Sequence, residues 1–222
     1  MQIPVKAIYR GSRSHLGERR ASSGINKEEI TEPIRVTRFG IEEDFIGDKS
    51  IHGGLEKALH HFPADHFEKL RKAFPQISDN LTPGSIGENI SSYLSTEQNV
   101  HISDIFSLGS VIMQISQPRK PCWKIDEKYE CTGVATLMHK IGLCGWYYRV
   151  IQEGVVASTD RLDLIKREKN APTVKEFQSA VSDSRPNPEL LEHFARTISL
   201  SNKLAQQLIN RARWLRAHGN KK

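Results

Sequence analysis

The residues best suited to chemistry lie in Gln117-Pro118-Arg119-Lys120-Pro121-Cys122. The run before them, residues 111–116, is apolar and β-branched and reads as a strand. Two prolines then stop any ladder or helix, because proline lacks a donor N–H and fixes φ. Cys122 is therefore expected in a stiff loop off a strand end, with Arg119 and Lys120 beside it. Such a setting favours thiolate over thiol. The local sequence leaves two readings open: an activated thiol next to an anion-binding pair, or a buried structural cysteine near two solvated cations.

A second group is Gly47-Asp48-Lys49-Ser50-Ile51-His52-Gly53-Gly54. Adjacent glycines open backbone shapes closed to other residues and let N–H groups approach an anion closely. Lys57 and His61 follow at one-turn spacing; a plain β-turn is the bland alternative for the whole stretch. Asn89, in Gly87-Glu88-Asn89, reads either as a pocket residue or as a turn residue tolerant of left-handed geometry. Asp104 falls inside an apolar run and needs solvent or a cation.

The elements that must position these groups are short strands. Residues 5–9, 34–39, 100–108, 111–116, 145–151, 155–156 and 162–165 carry strand patterns. Residues 11–24 and 79–87 read as loops. Helices are expected at 63–74, with Pro63 in the first turn and Phe67, Leu70 and Phe74 on one face, and at 132–140, stopped by Gly142. Short strands with glycine turns predict a mainly β sandwich or barrel over residues 1–168 rather than alternating βαβ units. From residue 172 to 222 the texture becomes helical. Thr173-Val174-Lys175-Glu176 is a capping box, Asn187-Pro188 caps and opens a second helix, and Ser201 opens a third with Leu204, Leu208, Ala212 and Leu215 on one stripe. Three short helices bury little alone, so this segment is expected to dock on itself, on the barrel or on a second subunit as a homodimer.

Composition narrows the classes. A chain of 222 residues is long enough for one large domain with an appendage. Nothing approaches the ~20 apolar residues of a membrane span, and the first residues carry no secretory pattern. Three cysteines (Cys122, Cys131 and Cys144) without CxxC spacing argue against a disulfide framework and for the reducing cytoplasm. The net charge of +6 would suit an anionic cofactor, nucleic acid or an acidic partner. Much of it, however, sits late, in Arg211, Arg213, Arg216, Lys221 and Lys222, so it does not describe a general basic face.

His52-Gly53-Gly54 with Lys57-Ala58, Gly87-Glu88-Asn89, Ser103-Asp104, the Cys122 stretch, and Gly145-Trp146 with Arg149-Val150 occur in one order. This set resembles MOSC-domain proteins, named for the C-terminal domain of molybdenum cofactor sulfurases. The C-terminal helices resemble the three-helix extension of a bacterial subgroup that reduces N-hydroxylated bases such as 6-hydroxylaminopurine, a detoxification. The resemblance implies a MOSC-type β-barrel, a bound molybdenum cofactor (Mo-molybdopterin) and no pyridoxal phosphate. It implies that Cys122 is the metal ligand and a catalytic residue. The expected proton relay is His52 or His61, since a histidine titrates near neutrality, with His52 ranked first for its place beside the glycines. Gly53, Gly54, Lys57, Asn89, Arg119 and Trp146 become the expected cofactor-binding residues, with Arg119 and Lys57 as phosphate clamps. Cys131 and Cys144 have no matching role. A thiolate is a soft donor suited to a redox metal, and a guanidinium forks onto phosphate. The expected partners are an N-hydroxylated purine or related small molecule and a separate flavoprotein or other electron donor, since no GxGxxG is present. Two departures stand out. Glu43 replaces a family glycine, which puts a glycine-only loop shape in question, and Ser103 replaces another. The rival readings are a non-catalytic molybdenum cofactor or sulfur carrier, and a nucleic-acid module built on Arg211, Arg213, Arg216 and Trp214.

Overall fold

A computed structural model of the chain describes residues 2–18, 20–196 and 199–218. Lys221 and Lys222, part of the late basic surplus, lie outside the described residues. The N-terminal half opens with β1 (Gln2–Gly11), β2 (Ser14–Leu16), β3 (Ala21–Ser23), β4 (Lys27–Glu29), β5 (Ile34–Thr37) and β6 (Gly40–Ile41). After the short helix α1 (Lys49–His52) come β7 (Leu59–Pro63), α2 (His66–Ala73) and β8 (Ile90–Ser92). Next are β9 (Ile105–Leu108), β10 (Val111–Pro118), α3 (Lys124–Tyr129), α4 (Val134–Ile141), β11 (Trp146–Gln152), β12 (Gly154–Val156) and β13 (Arg161–Lys166). Three helices end the chain: α5 (Val174–Ser182), α6 (Pro188–Ala195) and α7 (Asn202–His218).

Seven strands close into a barrel in the order β13-β9-β10-β11-β7-β8-β1, with β1 pairing back onto β13. Closure removes the free edges that an open sheet would expose. Every pairing in the ring is antiparallel except β7 with β8. The barrel interior holds Ile3, Ile8, Leu59, Phe106, Met113, Ile115, Trp146, Tyr148 and Leu162. A second apolar cluster, with Phe62, Phe67, Leu70, Leu81, Ile86, Ile125 and Met138, sits under α2, α3 and α4. Val174, Phe177, Leu191, Phe194, Leu208 and Ala212 of the last three helices join the same core as the barrel.

Several local expectations need correction. Residues 11–24 are not an open loop: β2 and β3 pair as a hairpin there. The strand expected over 34–39 stops at Thr37, and Gly40 begins β6 after a turn. Pro63 closes β7, and the helix starts later, at His66. Lys57 and His61 share no helix face, because a single 3-10 turn over Leu55–Lys57 gives way to β7. The strand expected over 100–108 is confined to β9; Asp104 lies in the turn before it and pairs with Arg167 at 2.6 Å. Pro118 does not break the ladder. It is the last residue of β10, opposite Trp146, and Arg119 N–H still donates to the Gly145 carbonyl at 3.0 Å. The register shifts before it, between Ile115 and Gln117.

Candidate active site

The cleft is set by strand alternation, since successive side chains of a strand point to opposite faces. On β7, Leu59 and His61 enter the barrel while His60 faces outward; on β11, Trp146 and Tyr148 enter and Tyr147 faces outward. Tyr147 pairs with His60 across the two strands, so both rings meet in one open cleft. The cleft, counted together with the open solvent at its mouth, takes in about 590 Å³. Its wall is completed by α1 through His52, the 3-10 turn through Lys57, the loop before β8 through Gly87 and Asn89, and the β10–α3 connection through Arg119, Cys122 and Lys124. Residues of the barrel core (Ala58) and of the second cluster (Ile25, Ile86) both reach it.

Of the residues expected from sequence, Cys122, His52, Lys57, Asn89 and Arg119 converge here. The glycine pair does not line the cleft. Gly54 takes a left-handed φ of +92°, whereas Gly53 is extended, so only one of the two uses glycine's freedom. Trp146 is not a pocket wall. It is fully buried in the barrel and stacks on His61 at 4.4 Å, because its place in β11 points inward. His61 is equally internal, tied to Tyr148 and to Ser92 at 2.8 Å, with burial pushing its imidazole down to about 3. Asn89 stitches the cleft floor together: it accepts from His60 N–H at 3.0 Å and donates to Asp44 at 2.9 Å. Tyr147, His60 and Lys124 are the residues sequence reasoning missed; the alternation of β7 and β11 carried the signal for the first two.

The electrostatics are cationic. Lys27 is neutralised by Asp44 at 2.5 Å, both side chains buried. Lys57, Arg119 and Lys124 form no ion pair among the described residues. Lys57 donates to the Ile51 carbonyl and stands 5.8 Å from the centre of the Tyr147 ring. Lys124 donates to the Ser22 carbonyl at 2.7 Å. Arg119 is 5% exposed, and its Nη1 finds no partner among the described residues; the same is true of His60 Nε2. Buried donors left unpaired cost roughly 1–3 kcal/mol, more when charged, so each marks a place for a ligand atom. His52 Nδ1 lies 3.2 Å from the Tyr147 hydroxyl. Burial first, then Arg119, Lys57 and Lys124, lowers its pKa to about 4, so the ring is neutral at pH 7. Burial raises the Tyr147 phenol above its ordinary range. Among the described residues no three His, Cys, Asp or Glu side chains converge as a metal cage; the cleft offers one soft donor, Cys122.

Fold and site together define a closed β-barrel protein with a thiol set in a cation-lined cleft. The chain belongs to the MOSC-domain family: residues 48–163 match the MOSC domain, which is associated with molybdenum-cofactor-dependent reductases. It is 35% identical over 167 residues to Protein YiiM of Escherichia coli (strain K12), covering 75% of this chain and 74% of that protein. It is 31% identical over 157 residues to the protein YflK of Bacillus subtilis (strain 168), covering 71% and 70%. A third relative, a "Reductase" of Gibberella moniliformis, is 31% identical over 150 residues, which cover 66% of this chain and 26% of that protein. The crystal structure of YiiM from Escherichia coli superposes with a TM-score of 0.80 at 26% identity, covering all of this chain and 96% of that one. Among the described residues, no helix is long and apolar enough to cross a membrane.

Proposed function

We propose that the chain is a molybdenum-cofactor-dependent reductase of N-hydroxylated bases such as 6-hydroxylaminopurine. The observation that carries this reading is the coincidence of one soft donor, Cys122, with the buried, unpartnered Nη1 of Arg119 in a single cleft. A molybdopterin group needs both: a thiolate for the metal and charge-assisted donors for the phosphate. The residues present fit it. Cys122 would hold the metal, Arg119 with Lys57 or Lys124 would hold the phosphate, and His60 Nε2 offers a further polar contact. Gly53, Gly54 and Trp146 are left out of this set, because none lines the cleft.

When bound, the cofactor supplies two-electron oxygen-atom chemistry. Overall, the reaction consumes two electrons and two protons, breaks the N–O bond and yields amine and water. The protein's part is to orient the base and to manage protons. His52, neutral at pH 7, can exchange a proton with the Tyr147 hydroxyl through Nδ1. The electrons come from a separate flavoprotein or other redox partner.

Protein purified from cells that make the cofactor is expected to reduce 6-hydroxylaminopurine with a viologen donor. Cys122→Ala is expected to lose at least about 100-fold in kcat/KM. Bound molybdenum with no turnover on any N-hydroxylated base would refute the reductase and leave a cofactor or sulfur carrier.

A further inference from the structure

Glu97 does not line the cleft, yet its carboxylate is buried and engaged at both oxygens. Oε1 accepts from the Cys144 and Gly145 N–H groups at 3.0 and 2.7 Å, and Oε2 meets His66 Nε2 at 2.6 Å. Burial pushes its pKa up, but His66 and the Gly145 N–H outweigh this, so the group ends below its ordinary range and is charged at pH 7. Hydrogen bonds to a charged acceptor are stronger than neutral ones. Gly145 is thus gripped at its N–H by Glu97, while its carbonyl accepts from the Arg119 N–H at 3.0 Å. A line of hydrogen bonds runs from a buried carboxylate to the residue at which the chain leaves β10.

Arg119 has few other anchors. Its guanidinium donates to the Ile86 carbonyl at 3.5 Å, the long limit of a hydrogen bond, and stands near the Tyr147 phenol. It forms no ion pair among the described residues, and its Nη1 is unpartnered. The backbone is therefore the firmer hold, and Cys122 follows three residues later in the same connection.

We propose that Glu97 is a positioning residue for the anion site: by gripping Gly145 it fixes the point from which Arg119 enters the cleft. The inference rests on the reading of Arg119 as the clamp for the cofactor's phosphate. A buried partner of this kind orients the group that touches the ligand without touching the ligand itself.

Two measurements on the full chain test this. One is the amide hydrogen-exchange rate of Arg119 relative to that of Ile115, on the same strand, whose N–H donates to the Asp104 carbonyl at 2.9 Å. The other is calorimetric titration with inorganic phosphate. In Glu97→Ala the exchange ratio is expected to rise, and phosphate binding to weaken, each at least about tenfold. Glu97→Gln keeps an acceptor oxygen but not the charge, and about threefold is expected in each. Leu70→Ala, a cavity in the second apolar cluster and outside this line of hydrogen bonds, is expected to lower the urea midpoint and leave both readouts at wild-type values. Glu97→Gln indistinguishable from wild type in both readouts overturns the proposal, even if the alanine variant does not fold. So does Leu70→Ala moving both as far as the Glu97 variants, which would make Glu97 merely structural. If wild type binds no phosphate, the clamp reading of Arg119 falls, and the exchange ratio still decides whether Glu97 holds Arg119 in place.

Discussion

Arg119 brings a guanidinium into the cleft wall, and no carboxylate among the described residues answers it. A buried cation in this state is costly, and only an anion in the cleft compensates it. Removing it is therefore expected to matter more for ligand binding than for folding. In calorimetric titration with inorganic phosphate, Arg119→Ala is expected to bind at least about tenfold more weakly than wild type, with Arg119→Lys in between because the charge survives but the fork does not. Equal phosphate affinity in all three would show that the ligand lies elsewhere. His61 makes a different prediction. Its pKa is about 3 in the fold and ~6.5 when unfolded, so the unfolded chain binds the extra proton. Its stabilising contribution is full above pH 6.5 and is lost as pH falls from there towards 3, at up to ~1.4 kcal/mol per pH unit. Urea midpoints measured between pH 7 and pH 4.5 are expected to fall less steeply in His61→Gln; an unchanged slope would contradict that pKa. At this scale the sequence was informative where a motif names a residue type. Cys122, Arg119, His52 and Lys57 needed only their chemistry and order. Tyr147 and His60 were legible only through alternation, and Trp146 was misplaced because a Gly-Trp pair says nothing about which face of the strand it occupies.

Elements explain why two departures from the family pattern are tolerated. Glu43 and Ser103 stand where glycines were expected, and both keep a left-handed backbone, at φ +62° and +81°. The loop shape is thus retained at the cost of strain, on the order of 1 kcal/mol per residue. Each side chain offers something in return. Glu43 pairs with Arg10 at 2.6 Å on the surface, and Ser103 Oγ meets Ser199 Oγ in the interior, joining the barrel to the helical segment. An exposed pair is worth less than a buried contact. Glu43→Gly is therefore expected to raise the urea-derived stability by about 0.5–1 kcal/mol, and Ser103→Gly to gain less. The reverse order would undo this account. Gly145 has no such latitude. It has φ +66°, and a Cβ there would strike the His61 carbonyl, so Gly145→Ala is expected to cost at least ~2 kcal/mol in the same assay. Five of the seven barrel strands, β1, β9, β10, β11 and β13, were visible in their composition, while β7 and β8 were missed. The β2–β3 hairpin was not, because its polar residues face water and carry no apolar alternation.

Across the whole molecule, the barrel and the three terminal helices share one apolar core. The capping box at Thr173, the Asn187 cap and the Ser201 cap were each readable, since capping is local chemistry. Where the helices dock was not readable, because it depends on which barrel face is left apolar. Phe194→Ala, at the centre of that junction, is expected to cost about 3–5 kcal/mol and to lower the unfolding midpoint of the whole chain in a single transition. A separate early transition would mean that the helices unfold on their own. Two of the late arginines are spent within this segment: Arg211 on the carbonyls of Val181 and Asp183, and Arg216 on Glu192. The unpaired charge that matters sits instead in the cleft, around Cys122. The account rests most directly on that thiol and its cations holding a molybdenum–pterin group. Molybdenum and pterin should be quantified in wild type and Cys122→Ser purified together from cells that make the cofactor. Near-stoichiometric metal and pterin in wild type, with metal retention falling at least about tenfold in Cys122→Ser, is the predicted result. Wild type without molybdenum, or a serine variant equally loaded, would contradict it.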